Sequence, residues 1–456
     1  FILALLVAVK ISFYYHYHVQ VSASALFVIF ESNGVEAQDF LVNYFDFKII
    51  ILFIFTLIPG LIIAFNRRVR FYIKNLFKAN KKIPNLIKLG LILFSVSAIY
   101  QINLRFRPYN LYLTYVDSYS EYTVMKDLLK ENLSQPTSQY FTGTDLVKDS
   151  QTHIIVIGES TSNWHMQLYD YSRETNPKLT EIKNELFIYD SVITPNVHTI
   201  IALDKSLTFS SNKEPNKAEN ASVIQLANQS GYTTYWLSNQ RPVGMFDALS
   251  TQIGTAATYK HFLATDNYTS VTHDEILLPK LDEILNDAHT KRLIFIHLAG
   301  THISYKKRYP KAFSTFKGKL SLKNKKQSEI INHYDNAVLY NDYILRRIIE
   351  QLREVNTKSY LLYFSDHGDE VFDTMDFVGH NEYHSTKPMH EIPFIMWHSK
   401  SFKFPENFKL DIKRAYNLEH FIHSFSSLTD LTFKGIDSTK SVFSKYYLKP
   451  NYNDEK

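Results

Sequence analysis

Cysteine is absent from all 456 residues. That excludes a disulfide framework, a thiolate metal site and a cysteine nucleophile together. It does not identify the compartment, because secreted bacterial proteins often manage without disulfides. Lys and Arg are missing from Ile11 to Phe47, a stretch that contains Glu31, Glu36, Asp39 and Asp46. Acids are missing from 67–88, where eight Lys or Arg stand. There is no initiator Met: the first residue is Phe1, inside an apolar run. Neither an internal repeat nor a low-complexity tract is visible.

What is present points to a folded chain with a large core. Hydrophobic residues make up 45%, with 31 Tyr and 33 Phe, which excludes disorder. The length allows two to four domains of about 100–200 residues. Fifty Lys plus Arg against 45 Asp plus Glu give +5 and a pI of 8.8. The excess is local. Residues 1–104 hold ten basic and four acidic residues, net +6, so 105–456 sum to −1. A near-neutral remainder argues against nucleic acid as a partner.

The first hundred residues read as membrane-embedded. Ile49 to Asn66 is an uncharged run of 18 residues and Leu89 to Leu104 one of 16, with Lys88 able to snorkel. Both are short for the about 20 apolar residues that span a bilayer core, but acceptable. The basic loop 67–88 is then cytoplasmic and the acid-bearing stretch before Lys48 faces outward. The opening run FILALLVAVKISFYYHYH is too long and aromatic for a signal peptide, and it reads as a helix arriving from the cytoplasm. The chain is expected to be truncated, with further membrane helices before Phe1. The expected division is a transmembrane region at 1–104, a linker helix and loop at 105–150, and an outer, periplasmic catalytic domain at 151–456.

Within that outer domain short β-branched or aromatic runs recur at 153–158, 186–193, 233–238, 292–298, 359–365 and 392–397, and helical patterns separate most of them. Strands of near-continuous apolar character alternating with helices predict a mostly parallel sheet covered on both faces. In such sheets chemistry gathers beyond the carboxyl ends of the strands. The strands are followed by Gly158-Glu159-Ser160-Thr161, by Thr194 to Thr199, by Gly300-Thr301-His302, and by Asp366-His367-Gly368-Asp369, with His380 a little further on. Carboxylates, a hydroxyl and imidazoles converging on one edge form a hard-oxygen and nitrogen metal inventory. Taken singly each residue has an ordinary use. Glu159 could cap a helix, Thr199 could end a strand, and Asp366-His367-Gly368 could be a turn. His384 and His390 compete with His380.

These residues resemble the bacterial phosphoethanolamine transferases of the alkaline phosphatase and sulfatase superfamily. The similarity is carried by VIGESTSNWHMQLYDYSRETNPKL (156–179), SVITPNVHTIIALDKSLTFS (191–210), YWLSNQ (235–240), HLAGTHISYKKRYP (297–310) and YFSDHGDEVFD (363–373), with LFVIFESNGVEAQDFL (26–41) resembling the membrane-proximal segment. A sulfatase proper is disfavoured, because no C/S-x-P-x-R setting stands here. The resemblance implies N-terminal transmembrane helices followed by an α/β/α sandwich. It implies one Zn2+ held by Glu159, Thr199, Asp366 and His367, with Thr199 as nucleophile and His302 and His380 as the phosphate-handling pair. Glu31, Asn33, Lys205 and Asn239 join those histidines as expected substrate contacts. An unpaired Glu31 beside apolar ALFVIF suits an ethanolamine ammonium, although it would also suit a solvated loop. Some members carry disulfides in the outer domain, so this chain falls in a disulfide-free branch.

The implied reaction is transfer of phosphoethanolamine from phosphatidylethanolamine to lipid A or a core oligosaccharide by a multi-pass inner-membrane enzyme. The helix expected after Thr199 would direct its N-terminal amides at a phosphoryl oxygen. Two alternatives stand beside it: a glycerol-phosphate transferase of the lipoteichoic-acid synthase type, and an inactive membrane scaffold on the same fold. The charge asymmetry supplies the first test. A reporter fused after Asn80 and another after Lys456 should report opposite compartments, and one shared compartment refutes the topology.

Overall fold

Apolar strands must be covered on both faces, and that requirement organises the larger part of the molecule. The computed structural model describes 2–17 and 47–79, short pieces between 89 and 141, and 149–449 apart from 212, 214–220, 241–252, 265–270 and 432. The chain divides into two compact units, 1–124 and 125–456.

The first unit contains helix α1 (Ile2–Tyr17), which packs on α2 (Phe47–Phe65), and α3 (Arg67–Ala79). The 19 residues of α2 cover the first expected apolar run and carry Pro59 in their interior. Among the described residues no helix is both long and apolar enough to cross a membrane. Most of the second apolar run lies outside the described residues, as does most of the expected linker helix. The loop that ends the linker is fastened to the second unit. There Gln225 donates to the carbonyl of Gln135, and the Ser138 amide donates to Gln229.

The second unit is built on β1 (Gln151–Gly158), β2 (Leu186–Ile188), β3 (Ser191–Ile193), β4 (Thr233–Ser238), β5 (Tyr259–Phe262), β6 (Lys291–His297), β7 (Lys358–Ser365), β8 (Glu370–Val371), β9 (Val378–Gly379), β10 (Phe394–His398) and β11 (Ala415–Asn417). Seven of them form one sheet in the order β2-β10-β7-β1-β6-β4-β5. From β7 to β5 all pairings are parallel, while β10 runs antiparallel to β7 and β2. The mostly parallel sheet is therefore as expected.

Two details differ from the sequence reading. The run 186–193 is not one strand: after Ile188 the Tyr189 and Asp190 amides bond Phe394 and Ile412, and β3 pairs with β11 in a separate two-stranded sheet. Strand β10 starts only at Phe394, because the Ile392 amide bonds Val192 and Pro393 has no N–H to offer. The alternation of side chains along a strand then divides the core. Ile154, Val156, Ile294, Ile296, Leu361 and Tyr363 face α6 (Leu277–Leu285) and α7 (Lys325–Glu354). On the other face Phe364 meets Phe421 of α8 (Phe421–Thr429), with ring centroids 5.0 Å apart. Helix α4 (Thr199–Leu207) packs against α8 on this side, and α5 (Val223–Gln229) packs against β4.

The loop after β1 is tied to α7 by buried charge. His165 Nδ1 is 2.6 Å from Asp335, and its Nε2 is 3.2 Å from Asp373. Arg173 of the RETNP motif donates to the second Asp335 oxygen at 2.6 Å. Burial alone would depress the imidazole, but Asp335 and Asp373 hold it up at about 10. The folded state therefore keeps a proton that the unfolded chain releases near 6.5, so this contribution is complete below 6.5 and lost as pH rises through 10. The melting temperature of the native chain should fall more steeply between pH 7 and 10 than that of His165→Gln. Parallel curves would show that the cluster does not titrate.

Candidate metal and nucleophile site

Strand register levels three loops at one edge of the sheet. Gly158 lies opposite Ser365 across β1 and β7, and Ile157 opposite His297 across β1 and β6. The residues that leave the sheet together are thus Glu159, Asp366-His367 and the 298–302 loop. That loop packs on Glu159, whose carbonyl accepts from the Thr301 amide at 2.9 Å. At Gly300 (φ +52) a Cβ would lie 2.7 Å from the same carbonyl oxygen, so a side chain there would push Glu159 aside. The fourth loop arrives from β3: Thr194 donates to the Asp366 carbonyl at 2.5 Å, and Thr199 begins α4.

Four side chains expected together are together. Thr199 Oγ1 lies 3.1 and 3.4 Å from the two Glu159 oxygens and 3.4 Å from His367 Nε2. His367 Nε2 lies 3.4 Å from Glu159 Oε1 and 3.5 Å from Asp366 Oδ2. Asp366 Oδ1 accepts from the Ser160 and His367 amides, whereas the buried Oδ2 has no hydrogen-bond partner. His367 Nδ1 donates to the Gly368 carbonyl at 3.0 Å, which turns Nε2 toward the carboxylates.

These spacings fit a metal ion. Oxygen and nitrogen ligands at 2.0–2.2 Å around a tetrahedral zinc stand about 3.3–3.6 Å apart. Electrostatics point the same way. Burial and the Glu159 charge push Asp366 up to about 7. Burial opposes the charged forms of His367 and Glu159, yet Asp366 and Glu159 hold the imidazole up at about 10, and His367 holds Glu159 well below the usual carboxylate range. Two buried carboxylates retain a cation between them, a role that the protonated imidazole can fill by itself.

His302 and His380 flank this cluster with opposite polarity. Arg308 donates to His302 Nδ1 at 3.1 Å, and because guanidinium cannot accept, the His302 proton is on Nε2. Burial pulls that imidazole down to about 4, so it is neutral. His380 Nδ1 instead donates to Asp369 at 2.8 Å, which leaves Nε2 as an acceptor. The His380 ring is 4.2 Å from that of His367, whereas His384 is exposed, so the geometry selects His380.

The other expected contacts lie behind the cluster or elsewhere. Lys205 is buried and donates to Asn196 at 2.7 Å, and Glu382 grips Asn196 and the Val197 amide at 2.9 Å each. The group braces the turn before Thr199. Asn239 bonds Asp274, whose carboxylate also receives the Ala299 and Gly300 amides below His302. Glu31 and Asn33 lie outside the described residues. Thr208 is the residue that ends α4, with an extended backbone (φ −130, ψ −173).

Residues not singled out from sequence also serve the site. Asp369 orients His380 and accepts from Tyr305 at 2.7 Å. Gln240 donates to Glu159 Oε2 at 3.3 Å. Both stood inside quoted motifs, SDHGD and SNQ. Nothing local marked Asp274. An isosteric change tests the metal assignment: Asp366→Asn can keep the two amide bonds to Oδ1 but replaces the unpartnered oxygen with NH2. Zinc affinity by calorimetric titration should fall at least about tenfold with circular dichroism unchanged, and undiminished affinity would remove Asp366 from the ligands.

Comparison with known proteins places this geometry. The sulfatase family profile matches residues 151–431. Phosphoethanolamine transferase EptC of Escherichia coli K12 is 33% identical over 448 residues, which is 92% of this chain and 77% of that protein. Phosphoethanolamine transferase CptA of Salmonella typhimurium is 31% identical over 450 residues, with the same coverage. The solved C-terminal periplasmic domain of E. coli EptC, in complex with zinc, matches with a TM-score of 0.65 at 33% identity over 69% of this chain and 91% of its own. The integral membrane lipooligosaccharide phosphoethanolamine transferase A of Neisseria meningitidis shares the fold at 19% identity, with a TM-score of 0.64 over 94% of this chain and 84% of its own. The chain belongs to the sulfatase family and, within it, to the phosphoethanolamine transferases.

Proposed function

We propose that the protein is a zinc-dependent transferase that moves phosphoethanolamine from phosphatidylethanolamine to lipid A or a core sugar through a covalent intermediate on Thr199. The observation that carries this reading is the Thr199 hydroxyl, 3.1–3.4 Å from Glu159 and His367, beside a buried carboxylate oxygen with no partner. The names of the relatives support the transferred group, and the zinc complex of the EptC domain supports the metal.

Glu159, Thr199, Asp366 and His367 would hold the zinc. Bound there, the ion supplies Lewis acidity, which lowers the pKa of a hydroxyl far too weakly acidic to ionise at neutral pH. The chain's own groups do the rest. The Thr199 oxygen attacks phosphorus, a Thr–O–P bond forms, and the P–O bond to glycerol breaks. His302 Nε2–H would meet the phosphoryl oxygens as a neutral donor, and the proton given up by the Thr199 hydroxyl passes to the glycerol oxygen, so that diacylglycerol leaves as the neutral alcohol. In the second half the acceptor's oxygen attacks the same phosphorus, His380 Nε2 takes the acceptor's proton, the Thr–O–P bond breaks, and that proton restores the Thr199 hydroxyl. Amides at the start of α4 favour the anionic phosphoryl group during both displacements.

A donor that stays in the bilayer suits a membrane-anchored enzyme. We therefore read 1–104 as membrane-embedded and the second unit as periplasmic, supported by the charge asymmetry of the loops and by the integral membrane relative of the same fold.

Thr199→Ala should lower turnover about 10³-fold or more, while Thr199→Ser keeps part of it because the hydroxyl survives. After incubation with phosphatidylethanolamine, peptide mass spectrometry should find phosphoethanolamine on the peptide that contains Thr199. An adduct on Ser160 or Thr208, or normal turnover by Thr199→Ala, would refute the mechanism.

A further inference from the structure

From 288 to 328 the chain contains no Asp or Glu, and 305–326 alone holds nine Lys or Arg. The remainder of 105–456 must then be clearly acidic on balance, since the whole region sums to −1. Such a concentration is a local feature and not the tone of the domain. Lys306, Lys307, Lys311, Lys317, Lys319 and Lys325 are exposed. Elsewhere on the domain Lys178, Lys280, Arg353, Lys358 and Lys413 each form an ion pair with an acid.

The segment is built, not loose. Asn336 of α7, itself buried, accepts from the Thr315 and Phe316 amides and donates to the Phe316 carbonyl. Asn332 donates to the Gly318 carbonyl at 2.8 Å, and Ser328 accepts from the Leu320 amide at 3.0 Å. Arg173 stacks over Phe316 with its guanidinium 4.2 Å from the ring centroid. One end is joined to the site, because Arg308 donates to the His302 carbonyl at 2.9 Å and to its ring nitrogen. The other end returns beside β8, where Lys323 donates to the Phe372 carbonyl.

A zwitterionic donor with one phosphate does not call for such a field of cations. We propose that the lysine-bearing surface 305–326 seats the acceptor, holding it by more than one of its phosphates. One phosphate or hydroxyl enters the site past His302, while the others rest on Lys306, Lys311, Lys317 and Lys319 as charge-assisted contacts. Leu322, fully exposed among these cations, offers a contact to the lipid part. The proposal rests on the transfer reading above and assigns the surface that holds its second substrate. A bare anionic bilayer is the competing occupant. The Arg308 to His302 link favours the acceptor, because it ties the start of this segment to the candidate site.

The experiment uses the full chain in nanodiscs of phosphatidylcholine. Lys306, Lys311, Lys317 and Lys319 are changed together to Gln, and a control carries Lys183, Lys400, Lys409 and Lys434 changed to Gln for the same net charge. Equilibrium binding of purified bisphosphorylated lipid A should weaken about tenfold in the first variant only, with a flatter salt dependence, and monophosphorylated lipid A should discriminate less between the two. Unchanged lipid A binding, or equal loss in the control, would overturn the proposal. So would loss of binding to phosphatidylglycerol vesicles with lipid A binding intact, which would mark a bilayer-docking surface. Because binding is read without turnover, the result is separate from the transfer reading, which fails on its own if the native chain releases no diacylglycerol from phosphatidylethanolamine.

Discussion

Two carboxylates buried side by side are the constraint around which the second unit is arranged. Glu159 and Asp366 are both almost wholly inaccessible, and each would repel the other without a cation between them. The fold pays that cost through register: β1 and β7 end at the same level, so the residues that follow arrive within one coordination radius. Amide donors from Ser160 and His367 occupy one Asp366 oxygen and leave the other directed at the cluster. Gly300 and Gly368 are needed because the neighbouring loops pass too close for a Cβ, which at Gly368 would lie 2.2 Å from the Pro388 carbonyl.

The same arrangement separates the tasks of the flanking groups. His302 presents a proton because Arg308 occupies its other nitrogen, and in the neutral ring of His380 the lone pair stands on Nε2 because Nδ1–H is donated to Asp369. One histidine with a donor nitrogen and one with an acceptor nitrogen would suit the proposed reaction, where a leaving oxygen and an entering oxygen need opposite services.

Much of this was legible in sequence, and the reason is local. Apolar runs that demand cover on both faces identify parallel strands, and strand ends identify where chemistry gathers. Glu159, Thr199, Asp366 and His367 could therefore be grouped from their positions along the chain. The limits were equally physical. The 186–193 run changes sheets after Tyr189: the Tyr189 amide still bonds Phe394 of β10, whereas the Asp190 amide bonds Ile412, a partner more than 200 residues away that no periodicity reveals. Lys205 and Asn239 were expected as substrate contacts from the resemblance; in the structure their hydrogen bonds brace the turns that carry Thr199 and His302. Asp274 works on Ala299 across 25 residues and left no local mark.

Helix α7 has a role beyond covering the sheet. Its first turns hold the lysine-bearing segment through Ser328, Asn332 and Asn336, while Tyr334 accepts from the Ser162 amide and donates to the Ser160 carbonyl, fixing the loop that follows Glu159. From Ser328 to Tyr334 the helix advances about 9 Å, a distance set by backbone hydrogen bonds and not by loop conformation. The helix is therefore a caliper. One jaw is the cationic surface and the other is the loop that follows Glu159, and on the proposed reading this fixed separation would select a substrate by the spacing of its anionic groups.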